Sequence, residues 1–436
     1  MGNKYSAEEA WKLLLNDYNI KDKVSSNGYF DISADMIRKY REPRLMAKWD
    51  ATESLPPCLR NANLNILPTS RKGYIVSDIN LYKSFPPQSH DQSTHLDFPE
   101  FESISPQQIS SESDAINVEI ISHMLDDFLG TPDTVETFNG RMGTDDFDFY
   151  VDRFSGTSLH VNVDHAQLEI DGGFENDESI IIMEAKNVPH PDFHIRQLYY
   201  PYRRWLKRVQ KPIRLVFSQY TNLIYHLFEY EFTDPNNYSS IHLVNQRSYT
   251  FEDTSITSDD LANLYEDTTV ETDDNREDPA NPPFIQADRF ERVVAILEWL
   301  DDPSRERGVN SEDVAEYMNF DRRQGDYYLA AGEYLGLFDR SRRQHTVLTP
   351  LGHHLLSLPY RERQLGFVRQ MLKHEIFHRL YGEIIDNGDY SSVDEIQSLM
   401  TDLNVCAPGA TLRRRISSVD GWLHWICSLP DITDTE

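Results

Sequence analysis

The stretch of this chain best equipped for chemistry is residues 167–187, QLEIDGGFENDESIIIMEAKN. If it folds as two strands, side chains two apart share a face. Glu169 and Asp171 then lie together on the first strand, and the glycine pair after them, Gly172 and Gly173, makes the turn. The second strand is apolar over residues 180–183 and ends in Glu184 and Lys186, again two apart. Pairing of the strands brings Asp171, Glu184 and Lys186 to one end of the hairpin. Two converging carboxylates form a hard oxygen site suited to Mg²⁺, and a lysine beside them can orient a water or stabilise the charge that develops on phosphorus. That is what hydrolysis of a phosphodiester requires. Acid-x-Lys triplets also occur on solvated hairpin faces. Here the triplet stands at the mouth of an aliphatic strand, one hairpin away from its partner acid and just before a basic segment.

That segment, residues 196–214, carries Arg196, Arg203, Arg204, Lys207, Arg208, Lys211 and Arg214 with no acid, interleaved with Tyr199, Tyr200, Tyr202 and Trp205. Read as a helix over 195–209, it offers a phosphate-binding face in which Arg196, Tyr199, Arg203, Arg204 and Lys207 contact DNA. Upstream, Ser110 and Ser111 cap a helix that begins at Glu112, places apolar residues at Ile116, Ile120, Ile121, Met124, Leu125 and Phe128, and stops at Gly130. Alternation predicts strands at 146–151, 159–170 and 179–185, then, after the basic helix, at 213–218 and 223–232. The order is helix, three strands, helix, strand.

Asp171 followed by Glu184-Ala185-Lys186 within that order resembles the PD-(D/E)xK nuclease superfamily. The phrases EIDGG, IIIMEAKN and IRQLYYPYRRW, with EPRLMAKWD and NILPTSRKGYIVSDINLYKSFP near the amino terminus, look like a group of bacterial and archaeal type II restriction endonucleases. The resemblance implies Asp171 and Glu184 as metal ligands, Lys186 as the residue assisting the attacking water, and Glu112 as the acidic residue of the first helix. Glu119, seven residues further on the same helix, is the alternative to Glu112. Gln197 would line the site, as in superfamily members with a glutamine there. Ile170 stands where the superfamily's motif often has proline. The implied activity is Mg²⁺-dependent, sequence-specific cleavage of double-stranded DNA by one metal or two, by a homodimer on a palindrome or a monomer acting sequentially, with a cognate methyltransferase encoded nearby. The competing readings are a non-catalytic winged-helix DNA-binding regulator, and a repair or defence nuclease outside a restriction-modification pair.

Around this core the expected architecture is mixed α+β and α/β. An amino-terminal α+β module spans residues 1–100, with a helix at 7–15 and strands at 64–68 and 73–76. A Ser, Pro and Gln-rich linker follows at about 86–113, then a restriction-endonuclease-like core at 110–250. Residues 252–278 hold eleven acids and one base, so 251–285 reads as a solvated linker. Residues 286–360 outline a winged helix: helices at 290–300, from Ser311, and at 322–335, then two strands flanking a basic tip. Its readers are Arg322, Arg323, Gln324, Tyr327 and Tyr328 on the third helix and Arg340, Arg342 and Arg343 on the wing. In the helical remainder, 361–436, a second helix-turn-helix at 392–427 presents Arg413, Arg414 and Arg415. His374-Glu375-Ile376-Phe377-His378 matches the zinc-protease pattern H-E-x-x-H. It lacks a convincing third ligand and sits in an amphipathic helix at 361–381, which argues against a protease.

No window approaches the roughly 18 apolar residues of a membrane helix, and the amino terminus lacks a charged-then-apolar signal, so a cytoplasmic protein without membrane contact is expected. Cys58, Cys406 and Cys427 are too scattered for a disulfide framework or a four-cysteine zinc site. The myristoylation-like match at Gly2 to Ser6 has no basic cluster beside it and reads as chance. The net charge is -30, from 42 Asp and 30 Glu against 12 Lys and 30 Arg. The basic stretch is +7, leaving -37 elsewhere: an acidic shell around a local basic groove. The Asp-over-Glu and Arg-over-Lys skew is that of salt-adapted proteins, so a halophilic source is expected. Thermal unfolding monitored against salt should show stability rising steeply with concentration, and a protein fully folded and active in low salt would remove that reading.

Overall fold

The computed structural model describes residues 5–86, 93–342, 345–407 and 409–430; Arg343 of the wing tip and Met1 and Gly2 lie outside them. It is a mixed α+β structure around a seven-stranded mixed sheet. The strand order is Ser93–His95, Ile241–Thr250, Ile224–Phe232, Ile213–Thr221, Ile180–Lys186, Gln167–Glu175 and Val135–Gly143. Ile180–Lys186 and Ile213–Thr221 run parallel, which requires the chain between them to cross over the sheet, here through the helix Arg196–Trp205. The Ile180–Lys186 strand is buried on both faces, hence its continuous apolar sequence. Ile181, Met183 and Ala185 pack in one cluster with Ala115, Ile116 and Val118 of the helix Glu112–Ile121. Ile182 joins a second cluster with Leu198, Tyr199 and Tyr200 of the crossover helix.

Several expectations are corrected. The glycine pair does not turn the chain: Gly172 and Gly173 lie inside the strand, where Gly172 and Met183 are partners. The turn is at residues 176–179, built by Asn176 Oδ1, which accepts from the Glu178 and Ser179 amides and the Ser179 hydroxyl. What the glycines supply is room, since a Cβ on Gly173 would collide with the Phe138 ring and backbone, and one on Gly172 would lie 2.6 Å from the Phe174 ring. The region 159–170 is not one strand. Ser158–Val163 pairs with Phe147–Asp152 in a separate ribbon, and the unanticipated Val135–Gly143 closes the sheet edge. The first helix breaks after Ile121, with His123 left-handed at φ 57°, and resumes as Met124–Leu129.

The amino-terminal module holds the three-stranded sheet Phe30–Ser33, Gly73–Ser77 and Asn65–Pro68. Its first helix, Ala7–Asp17, starts in a Ser6 and Glu9 capping box. The stretch at 86–113 is not merely a linker: Ser93–His95 forms an edge of the central sheet, and Phe98 packs on Phe251. Nor is 251–285 a solvated spacer. It forms the helix Ser258–Asp267, buries Ile256, Leu261, Phe284 and Ile285, and sends Asp274 into the interior. There Asp274 accepts from the Tyr334 hydroxyl, the His374 ring and the Ile376 amide, so a nominally solvating acid ties three segments together. One apolar cluster takes in Val188, Leu223 and Ile224 of the central region and runs on from Ile256 to Leu429, across the boundary expected at 360. Among the described residues no helix is long and apolar enough to cross a membrane, and all three cysteines are free thiols.

Asp274→Ala would leave the buried Tyr334 hydroxyl and His374 ring nitrogen without their acceptor. Urea unfolding is expected to show a loss of about 3 kcal/mol or more, against less than about 0.5 kcal/mol for exposed Asp259→Ala. Similar small losses for both would mean Asp274 is solvated in the folded chain.

Candidate active site

The carboxylates and lysine named from sequence converge. Lys186 ends its strand with its side chain 16% exposed and donates to Glu112 Oε1 at 3.0 Å, Glu184 Oε1 at 2.8 Å and its neighbour's carbonyl, Ala185 O, at 2.8 Å. Asp171 Oδ2 stands 3.7 Å from the ammonium and accepts the Ala185 amide at 3.1 Å. Four elements supply these groups. Glu184 and Lys186 come from the C-terminal end of a central strand and Asp171 from its antiparallel neighbour. Glu112 comes from the first turn of the helix capped by Ser111, and Gln197 from the first turn of the crossover helix, where its Nε2 donates to Glu184 Oε1. Asp171 sits where the register slips: Phe138 pairs with Gly173 but Gly140 with Ile170, leaving an extra residue on the Asp171 strand. Such a bulge re-aims a side chain. It also parts Asp171 from Glu169, which is exposed and ion-paired to Arg141 at 2.9 Å, so the shared face expected of the two acids is not used.

Three carboxylates around one ammonium leave the site short of positive charge. Burial, reinforced by Asp171, pushes the Glu184 carboxyl up to about 8. Burial opposes the charge on Lys186, but Glu184, Glu112 and Asp171 outweigh it and hold the ammonium protonated well above its usual range. Hard oxygen donors with a deficit of positive charge suit a divalent cation such as Mg²⁺, and Asp171 and Glu184 are the pair that could hold one; with Glu112 added, the three carboxylates do not all come within 4.8 Å of one another. A different grouping, Asp146, Asp164 and His165, lies fully exposed on the surface, with His165 Nδ1 2.9 Å and 2.6 Å from the two carboxylates.

The basic helix is mostly committed elsewhere. Tyr199 is buried and Arg203 only 6% exposed; Arg203 donates to Asp148 O, Tyr199 Oη and Pro235 O. The expectation that these two face DNA is therefore overturned: they hold the crossover helix to the Phe147–Asp152 ribbon and to the loop that follows Ile224–Phe232. Arg204 donates to Gly143 O and Lys207 to Asp146 O, while Arg208, Lys211 and Arg214 pair with Asp145, Glu175 and Glu229. Arg196 keeps partial exposure over the Tyr200 ring. In the carboxyl-terminal region the elements have the expected order, with helices Phe290–Leu300, Ser311–Tyr317 and Arg322–Tyr334 followed by strands Phe338–Arg342 and His345–Leu348. Arg322, Arg323, Arg342, Arg413 and Arg414 are exposed, and Gln324 and Tyr327 half-buried. Arg322 is paired to Glu312, and Arg340 to Asp326 and Glu333. Tyr328 is buried, donating to Asp288, so it is no outward reader. Arg414 donates to Tyr327 Oη at 3.0 Å, which puts the two supposed reading helices on one surface.

The H-E-x-x-H residues do not share a metal position. His374 caps the helix Glu375–Asn387, which is separate from Tyr360–Leu372 where one helix was expected. Both of its ring nitrogens are taken, by Asp274 and Tyr334 O, and His378 meets Thr268 O.

Sequence reasoning missed Asp50, His190 and Asp192, which line a small cavity beside Lys186 and Gln197. No spacing signals Asp50, which is 136 residues from Lys186 and reaches it only through the packing of the amino-terminal module, whereas His190 and Asp192 follow Lys186 by four and six residues in a stretch with no strand or helix period. Three family models match the chain, each described as a domain of unknown function: DUF6996 over residues 8–76, DUF6997 over 77–250 and DUF7226 over 292–431. No curated protein and no solved structure matches it.

Glu119, the alternative to Glu112, is fully buried and meets the Ser218 hydroxyl. Burial pushes its carboxyl from 4.5 up to about 8, with Ser218 opposing. Between those two values the native state binds the extra proton, so this group makes stability fall as pH rises, by up to about 1.4 kcal/mol per unit, and the full cost stands above about pH 8. Glu119→Gln should therefore raise the melting temperature relative to wild type at about pH 8.5 and change it little at about pH 4.5. Equal differences at both pH values would show that the carboxyl is already ionised in the fold.

Proposed function

We propose that this chain is a Mg²⁺-dependent endonuclease of the PD-(D/E)xK type that cleaves double-stranded DNA at a defined sequence, as a type II restriction enzyme does. The observation that carries the reading is the meeting of Asp171, from the middle of its strand, with Glu184 and Lys186 at the end of the adjacent one, with Glu112 and Gln197 closing round them. The helix Glu112–Ile121, the sheet strands Val135–Gly143, Gln167–Glu175 and Ile180–Lys186, the crossover helix and the strand Ile213–Thr221 also support the reading, since the superfamily resemblance implies the order helix, three strands, helix, strand. When bound by Asp171 and Glu184, Mg²⁺ supplies Lewis-acid polarisation of the phosphodiester.

The residues of the chain do the rest. Gln197 fixes the Glu184 carboxylate, and the Ala185 amide fixes Asp171, so the ligand oxygens are oriented before substrate arrives. Lys186 presents a fixed positive charge to the phosphate as negative charge builds on it. A water oxygen bonds to phosphorus while one ester P–O bond breaks; the water releases a proton to solvent and the departing oxygen takes one up. The exposed Arg322, Arg323, Arg342, Arg413 and Arg414 of the carboxyl-terminal region are the bases available to a duplex. Because contacts of this kind release counterions, affinity should fall steeply with salt. Cutting both strands takes either two sites, which a homodimer supplies, or one site of a monomer acting twice in sequence.

Unmethylated duplex DNA incubated with Mg²⁺ should give discrete fragments with wild type. Lys186→Ala should slow cleavage by about 10²-fold or more while still retaining the DNA in a gel shift. Sequence-specific retention without cleavage in any divalent metal would sink the nuclease reading in favour of a DNA-binding regulator, and equal cleavage by Lys186→Ala would remove the catalytic assignment.

A further inference from the structure

Residues 49–53 of the amino-terminal module are tied by hydrogen bonds to Tyr82 of the same module and to residues 190–194 of the core. Tyr82 Oη donates to Trp49 O at 3.1 Å, the His194 amide to Asp50 O at 2.9 Å, and the Thr52 amide to Asp192 Oδ1 at 2.7 Å. Glu53 Oε1 accepts from His190 Nδ1 at 3.0 Å. These ties deliver Asp50, its side chain 14% exposed, to the wall of a cavity of about 10 Å³ that Lys186, His190 and Gln197 also line. That space holds about one water molecule. Asp50 Oδ2 is 3.7 Å from Lys48. Asp50 Oδ1 is buried without a hydrogen-bond partner among the described residues, and so is Gln197 Oε1, whose amide nitrogen is engaged by Glu184. Buried acceptors left unpaired are costly, and ordered water is their usual remedy. The Lys186 ammonium already has three acceptors, so it does not satisfy them.

We infer that Asp50 is a further residue of the active site, and that with Gln197 it binds and orients a single water beside Lys186, the water that attacks the phosphodiester. This rests on the nuclease reading for the fate of the water, but not for its presence. A water that donates one hydrogen to each of the two oxygens keeps its lone pairs free for phosphorus, which fixes its direction of attack. It also gives the amino-terminal module a chemical task; the cavity's other carboxylate, Asp192, accepts the Thr52 amide.

The test has two arms on the full-length chain. A high-resolution crystal structure should show one ordered water within hydrogen-bond distance of both Asp50 Oδ1 and Gln197 Oε1, absent in Gln197→Leu; an empty cavity in wild type overturns the inference. In cleavage assays Asp50→Asn, close in size and shape, should lower kcat by about tenfold or more with KM for DNA and the melting temperature unchanged. An unaltered kcat overturns the catalytic role. If wild type cuts no DNA, the nuclease reading fails alone, and the crystal arm still decides whether Asp50 and Gln197 hold the water.

Discussion

Burying the charge of Lys186 is the constraint on which the site depends. An ammonium group taken from water is strongly disfavoured unless its donors are met by acceptors and its charge by countercharge. Here three acceptors meet it, two of them carboxylate oxygens, and a third carboxylate stands nearby. Those carboxylates in turn tolerate one another only because the ammonium sits among them. Neither set would be stable where it is alone, so the end of one strand, the middle of its neighbour and the start of a helix are held in one arrangement. The cost shows in Glu184, the most buried of the three, whose carboxyl is pushed up to about 8 by burial first and by the Asp171 charge second.

The geometry that satisfies this constraint is set by small residues and a register slip. Gly172 and Gly173 admit the Phe174 and Phe138 rings against the backbone, and the bulge beside them turns Asp171 toward its neighbour. From there the packing spreads outward. The tip of the hairpin that follows the crossover, Asn222, exchanges amide hydrogen bonds with Gln364 at 3.0 and 2.9 Å. Arg292, its side chain 5% exposed, reaches from the helical region to Glu53 of the amino-terminal module and to Tyr328. Burial works against the charge on Glu53, but His190 and Arg292 override it and hold the carboxyl down at about 2. Three sequence regions thus meet around residues 186–197.

The charge distribution has a similar logic. In the sequence, the seven bases of 196–214 look like an outward-facing stripe. In the fold, Arg203 is sealed under the helix, and Arg208, Lys211 and Arg214 each find an acid. The acidic stretch is likewise put to use, with Asp274 as an internal acceptor. A run of one sign counts charges but not their partners, and partners come from elsewhere in the chain.

The sequence by itself determined the local features: the Ser111 cap and the Gly130 stop, the aliphatic strand ending in Glu184 and Lys186, the order of helices and strands from Phe290 to Leu348, and the candidacy of Asp171 and Glu184 beside Lys186. These follow from spacing and intrinsic conformational preference, which act over a few residues. Only the tertiary structure decided between Glu112 and Glu119, since both lie on one helix and the choice depends on which end meets the strand termini. It alone moved the turn from the glycines to residues 176–179, buried Tyr199 and Arg203, and brought Asp50 to the site. Each of those outcomes depends on contacts between segments distant in sequence, where burial and hydrogen-bond satisfaction, summed over the whole fold, override local pattern.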